Sequence, residues 1–350
     1  MVRSQMRRPL SYPLLPVLIA IASRLYSIGL IALLPSTTPT WNRFVAWDAT
    51  WYLRIARSGY HVAAAAQGPN GGQHDYAFFP AWPMMIRLGT LGFLPVEVVG
   101  VVLANLLFLA AAVVLYRVFA TRFGTGAAGL GVALLAFSPP AYVFSMAYSE
   151  SLFILLVALV FAWRAPVGRS LLAAGAAVTR ATGIFLLAPA AVDLWRGRPR
   201  RAIGLSLGVV AGLGAWSLFV WQLTGNPLDW LYESAGWSPN RGVGALAVVI
   251  QQPDAVHVTW LAFAMLILGA AALSVLRDLE LGSYSLAEVA VTMLAGTIYS
   301  IPRFALAGVS AFPELALRLR GRRAVILLVI FAVAQAFFIL TVFGGAQREP

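Results

Sequence analysis

VEVVGVVLANLLFLAAAVVLYRVF, residues 96–119, decides the class of this chain. Glu97 stands at its start and Arg117 near its end; between them only Asn105 and Tyr116 interrupt the apolar character. A helix needs about 20 apolar residues to cross the roughly 30 Å hydrocarbon core of a bilayer, and this run has that length. The pattern repeats outward in both directions, in Pro13–Pro35 upstream and in Ala202–Leu223, Val258–Val275 and Ala324–Phe343 downstream. The whole chain has 350 residues, 60% of them hydrophobic and 11% charged. A soluble domain of that size has no use for so much apolar surface. The expected class is all-α: a polytopic integral membrane protein whose backbone polar groups are satisfied inside its helices.

The formal charge is +12, and every basic residue is arginine. Such a balance raises the question of nucleic-acid binding. Here the arginines sit in short loops between apolar runs, as orientation signals do, so no nucleic-acid partner is expected. Cysteine is absent, which excludes disulfides and thiolate metal sites. The three histidines are scattered, which argues against a histidine-rich metal site. The opening MVRSQMRRP is basic and leads into Pro13–Pro35. A cleaved signal peptide also starts basic and then apolar, but this run is longer than an ordinary h-region and lacks a small-x-small exit. It is expected to remain as the first span.

The excess of arginine on one side orders the spans. The N-terminus is placed in the cytoplasm. Span one exits near Pro35, and residues 37–95 form a long first outer loop. Residues 96–119 return to Arg117 and Arg122. Shorter segments follow: Ala127–Phe137 out, Ser151–Trp163 back, Leu171–Val178 out to Thr179-Arg180, and Ile184–Leu194 back to Arg196, Arg198, Arg200 and Arg201. Ala202–Leu223 leads to a second outer loop, residues 224–257. Val258–Val275 returns, Leu286–Ser300 exits to Pro302-Arg303, Phe304–Leu317 returns, and Ala324–Phe343 exits. The sum is about eleven crossings with an outer C-terminus. Merging Leu171–Leu194 into one span would put Arg196–Arg201 outside, so two half-length segments are preferred. Such segments are tolerated where their polar ends are buried in protein or line a wet cavity, and they often build substrate sites. No tandem repeat or low-complexity linker divides residues 1–350, which read as one domain.

Chemistry-bearing residues concentrate on the outer side. WDATWYLRIARSGY, Trp47–Tyr60, follows span one directly and reads as a juxtamembrane helix on which Asp48, Trp51, Tyr52 and Ile55 share a face. Asp48 can cap that helix and Gly59 close it, with Trp47 and Trp51 in an interfacial belt. Alternatively, Asp48 takes a proton from an acceptor hydroxyl, work suited to a side chain whose reference pKa is about 3.9. QHDYAFFPAWPMMIRL, Gln73–Leu88, places His74 and Asp75 beside an aromatic-proline turn. They form either a surface turn or a pair that faces Asp48 and binds sugar hydroxyls. In SPPAYVFSMAYSESLFILL, Ser138–Leu156, Glu150 lies within a turn of an apolar segment and needs water or a partner, unless it and Ser149 only start a helix. Arg180 and Arg303 fall outside, against the charge bias. They either snorkel or grip phosphate through paired charge-assisted bonds, a task for which Arg54 and Arg57 are weaker candidates. Arg24, inside span one, requires a partner or a water path.

Taken in order, WDATWYLRIARSGY, AFFPAWP, SPPAYVFSMAYSES, TRATG and PRFALAG resemble the PIG-V family of mannosyltransferases, within the membrane-embedded GT-C glycosyltransferases. The resemblance runs from about Arg43 to Pro313. It implies a GT-C-like fold and transfer of a sugar, typically mannose, from a polyprenyl-phosphate carrier to a lipid-linked or glycan acceptor on the outer face, with inversion. It makes Asp48 the expected base, and Arg180, Arg303 and Arg54 the candidates for the donor phosphate. Trp47, Trp51, Tyr52, His74, Asp75, Tyr148 and Glu150 are left as candidates for sugar and acceptor contacts. A single phosphate can be neutralised by arginine, so no obligatory metal or other cofactor is expected. Arginine-only usage and a short second outer loop suggest a bacterial homologue in the inner membrane.

Two other classes compete. A transporter or lipid flippase would also show broken spans and buried arginines, but with matched features in two halves, which this sequence lacks. A silent membrane scaffold would not concentrate polar and aromatic residues on one side. The discriminating expectation is spatial: Asp48, Glu150, Arg180 and Arg303 should meet in one outward-facing cavity.

Overall fold

The computed structural model of the protein describes residues 14–34, 39–64, 66–68, 71–233, 247, 249–251, 253–296, 300–319 and 321–344. The basic N-terminal segment and most of the middle of the second outer loop, residues 234–246, lie outside them.

Helix α1, Leu14–Leu33, is followed by the short α2, Thr40–Arg43, and by α3, Asp48–Ser58. A two-stranded antiparallel hairpin, β1 Ala66–Gly68 with β2 Gly71–Gln73, precedes α4, Ala81–Gly89. The run that fixed the class forms α5, Val96–Phe123. Then come α6 Thr125–Ala136, α7 Glu150–Ala162, α8 Pro166–Ala177, α9 Leu187–Trp195, α10 Pro199–Thr224 and α11 Asp229–Glu233. The chain continues through α12 Ala255–Val275, α13 Leu279–Ala295, α14 Ile301–Ala305, α15 Ala311–Arg318 and α16 Arg322–Phe343. Helices α1, α5, α10, α12 and α16 are long and apolar enough to cross a membrane. Among the described residues five helices have crossing length and the other apolar helices are shorter, so the expected tally of about eleven crossings rests on the half-length segments.

The breaks have local causes. Pro139 and Pro140 cannot continue α6, so the chain turns through a 3-10 stretch, Ala141–Ser145, before α7. The expected span Leu286–Ser300 begins earlier, because Asp278 accepts the Leu281 N–H at 2.9 Å and starts α13 at Leu279. The expected span Phe304–Leu317 is split into α14 and α15. Pro313 is tolerated there because it sits in the first turn of α15.

Close backbone approach holds the short helices. Gly204, Gly208 and Gly212 recur every fourth residue along α10, the small-residue spacing that lets helices approach in lipid. A Cβ on Gly208 would lie 2.1 Å from the Ser170 carbonyl oxygen, and one on Gly212 would lie 2.6 Å from that of Ala174, both on α8. Arg24 finds its partner in the turn after α6. It donates to the Ala136 and Ala141 carbonyls at 3.1 and 2.8 Å and to Ser145 Oγ at 3.2 Å, with Phe108 under its guanidinium. The same turn is stapled to the stretch between α1 and α5: Ala147 N–H donates to Phe44 O at 3.0 Å, and Trp82 Nε1 donates to Ala147 O at 2.9 Å. Two stretches far apart in sequence thus share one edge of the bundle.

Candidate functional site

Trp47 adopts φ +51°, a region few non-glycine residues enter, and this bend delivers Asp48 as the first residue of α3. The Trp47 ring is braced by Phe343 at the end of α16, 5.3 Å between centroids. The Asp48 side chain does not cap its helix. It accepts from Arg303 Nη1 at 2.5 Å, across 255 residues of sequence. Gly59, at φ +79°, does close α3 as expected, its N–H donating to Ile55 O at 2.8 Å.

Arg303 reaches further. Its Nε stands 3.3 Å from Glu150 Oε1, and Arg180 Nη1 approaches the same oxygen at 2.5 Å. The result is a row of alternating charges, Asp48–Arg303–Glu150–Arg180. The Asp48 side chain is 27% exposed, whereas those of Arg303 and Glu150 are 8% and 5% exposed, so the row runs from an accessible acid into the protein. Charges this buried persist only when paired. Aromatic faces line the cations: Arg303 lies over Tyr148 and Phe304 at 5.2 and 5.4 Å, and Arg180 over Phe304 at 4.9 Å. Burial works against the charge on Arg303, but Asp48 and Glu150 outweigh it and raise its pKa above the ordinary guanidinium value. Burial likewise opposes the charge on Arg180, and Glu150 more than offsets it.

A small cavity beside this row is lined by Glu150, Arg180, Arg303 and also Glu288 of α13. Sequence reasoning passed over Glu288, although an acid inside an apolar segment is itself a signal. Among the described residues the Tyr148 hydroxyl makes no hydrogen bond, and the Thr182 hydroxyl faces Glu288. The Tyr148 hydroxyl adds unspent hydrogen-bonding capacity to the charged row. Tyr52 is a neighbour: its hydroxyl pairs with Ser149 Oγ at 3.0 Å, and burial raises its pKa. Trp51 stacks on Phe78, 5.5 Å between centroids at 8°, and Tyr52 meets the same ring edge-on.

Other candidates are engaged elsewhere. Asp75 does not turn to Asp48. Both of its oxygens accept from the His61 N–H, at 3.0 and 3.1 Å, and Oδ2 is also 2.8 Å from His61 Nδ1. His74 pairs with Glu233 of α11 at 2.7 Å and stacks on Tyr76. These two residues fasten the stretch after α3 to itself and to α11 rather than join the charged row. Arg57 pairs with Glu97, and Arg54 makes no ion pair among the described residues. A larger cavity exists at the arginine-rich ends of the helices. The acid–cation row is taken as the chemical centre because, among the described residues, it joins a partly accessible carboxylate to buried guanidinium groups.

Residues 25–192, which hold Asp48, Glu150 and Arg180, match the family model described as mannosyltransferase (PIG-V). This part of the chain is similar to the PIG-V mannosyltransferases. Arg303 and Glu288 lie beyond the PIG-V segment and reach the row through the fold alone. The chain is 36% identical over 121 residues to GPI alpha-1,6-mannosyltransferase 2 of Mus musculus and 34% identical to that of Cricetulus griseus. The match takes in 31% of this chain and 22% of each relative, so the chain spans about a fifth of the length of the curated relatives it matches. Among solved structures, ArnT from Cupriavidus metallidurans bound to undecaprenyl phosphate superposes with a TM-score of 0.56 at 15% identity, covering 93% of this chain and 64% of ArnT. Archaeal oligosaccharyltransferase AglB from Archaeoglobus fulgidus, in complex with an inhibitory peptide and a dolichol-phosphate, gives 0.51 at 12% identity over 97% and 56%. At these identities the likeness is one of fold. Residues 25–192 and the helices after them share a multi-helix membrane fold with these structures.

Proposed function

We propose that the protein is a membrane glycosyltransferase that moves a hexose, mannose first among them, from a polyprenyl-phosphate carrier to a hydroxyl of a lipid-linked or glycan acceptor. The observation that carries this reading is the 2.5 Å pair between Asp48 and Arg303. It sets a partly accessible base beside a guanidinium suited to a phosphate. The acceptor oxygen attacks the anomeric carbon while Asp48 removes its proton. The bond from that carbon to the phosphate oxygen breaks on the opposite face, and the electron pair leaves with the phosphate, inverting the configuration. Arg303 and Arg180 stabilise the departing charge, and fixed alignment of the reactants supplies much of the acceleration. A donor phosphate competes with Asp48 for Arg303, so binding the donor frees the base. Arginine neutralises the single phosphate, and no metal is required.

The positions of Asp48 and Glu150, each the first residue of its helix, support a site at the helix ends rather than the midplane site of a transporter. In this reading the protein resides in a bacterial inner membrane, with a cytoplasmic N-terminus and the site on the extracytoplasmic face. The test is to incubate the purified protein in liposomes with labelled polyprenyl-phosphate-mannose and a cell-envelope lipid extract. A labelled mannosylated product is expected, and Asp48→Asn should abolish it while the protein stays folded. Unchanged turnover in that variant would remove Asp48 as the base, and no labelled product with any extract would sink the donor assignment.

A further inference from the structure

The opposite ends of the same helices carry a second basic feature that the transfer does not use. Helix α7 runs from Glu150, in the charged row, to Ala162. At 1.5 Å per residue this spans about 20 Å. There it opens on a cavity of about 560 Å³. Its charged wall consists of Arg117 and Arg122 from α5, Arg164 from the connection between α7 and α8, Arg169 from the first turn of α8, Arg201 from the start of α10, and Glu280 from α13. Five arginines against one glutamate leave a net charge of +4 on the lining.

Part of this wall is braced. Arg122 pairs with Asp278 at 2.7 Å and Glu280 at 3.5 Å, and Arg169 pairs with the buried Asp193 at 3.1 Å. Arg196 and Arg198 also reach Glu280, at 3.3 and 3.0 Å. The side chains of Arg117, Arg164 and Arg201, by contrast, make no hydrogen bond or ion pair among the described residues. Three free guanidinium groups around a braced rim suit oxyanions taken bidentately. The volume falls in the range of about 300–1,000 Å³ usual for small-molecule sites. Exposed apolar stripes start at the same end: Val167 and Leu171 on α8, Ile203 and Leu207 on α10. Trp163, half exposed on the cavity lining, is the residue type that settles at headgroup depth. A ligand with phosphates in the cavity and hydrocarbon along these stripes satisfies both features, and basic pockets between membrane helices bind such headgroups.

We propose that this cavity binds a phospholipid whose headgroup carries two phosphates, at the membrane face opposite the Asp48 row. The test uses the full chain, purified in detergent and exposed to equal amounts of phosphatidylcholine, phosphatidylglycerol and cardiolipin, with retained lipid counted by native mass spectrometry. Cardiolipin should be retained at least about tenfold over phosphatidylcholine, as free guanidinium–phosphate forks predict. The variant Arg117→Gln, Arg164→Gln, Arg201→Gln should lose that preference with its melting temperature in lipid-free detergent unchanged. A control, Arg200→Gln, Arg322→Gln, Arg323→Gln, removes as much charge outside the cavity and should keep the preference. Equal retention of the three lipids, a preference that survives in the first variant, or one lost equally in the control would each overturn the proposal. Stabilisation by inorganic pyrophosphate with no lipid retained would also overturn it, in favour of a soluble phosphate.

Discussion

Arg303 serves two carboxylates, Asp48 through Nη1 and Glu150 through Nε. Replacing it with alanine should raise the KM for the polyprenyl-phosphate donor at least about tenfold, with a smaller change for the acceptor, because a bidentate charge-assisted contact to phosphate is lost. Steady-state kinetics with each substrate varied in turn provide the check; an effect confined to the acceptor would reverse the assignment. Glu150 holds both guanidinium groups, so Glu150→Ala strands the buried Arg180 and leaves Arg303 with Asp48 alone. Breaking a buried pair costs about 3–5 kcal/mol, and the melting temperature in detergent should fall accordingly, whereas an unshifted melt would show that the row is not structural. These four residues were legible in the sequence for a physical reason: a charge on the outer side, or inside an apolar run, is expensive and needs a partner. The partners of His74 and Asp75 were not legible. Glu233 lies 159 residues beyond His74, and no local pattern announces a contact of that range.

At the scale of elements, the seam between α8 and α10 places the end of α8, and Arg180 after it. Gly208 and Gly212 admit the α8 backbone where no side chain fits. Gly208→Val should destabilise the protein by about 2 kcal/mol or more through overpacking, while Gly214→Ala, which meets nothing within 4 Å, should be neutral. Thermal unfolding of the two variants side by side tests this; equal stability would mean the helices separate at no expense. The five long helices were readable from apolar runs, and their ends fall within a few residues of expectation. Less readable were the start of α13, where a capping aspartate outweighed hydropathy, and the division of residues 304–317 into α14 and α15. Hydropathy reports burial and does not register a turn made inside protein.

Over the whole molecule, the row of Asp48, Arg303, Glu150 and Arg180 with its aromatic rings lies at one end of the helices, and the arginine-lined cavity at the other. The orientation proposed from that asymmetry can be read directly, since the chain has no cysteine. Val62→Cys should react with an impermeant maleimide on intact cells, and Arg200→Cys only after permeabilisation; the opposite pattern would invert the topology. Chelation is a second whole-molecule test. Turnover should be unchanged by EDTA, and a loss restored by added magnesium or manganese would show that arginine does not suffice. The contact of Trp47 with Phe343 has a consequence for biogenesis. A membrane protein emerges from the ribosome amino end first, yet the residue preceding Asp48 leans on α16, and the arginine that pairs with Asp48 arrives some 255 residues later. A nascent chain stopped after residue 192 would already carry the segment that matches the family model, with its aspartate still waiting for the cation.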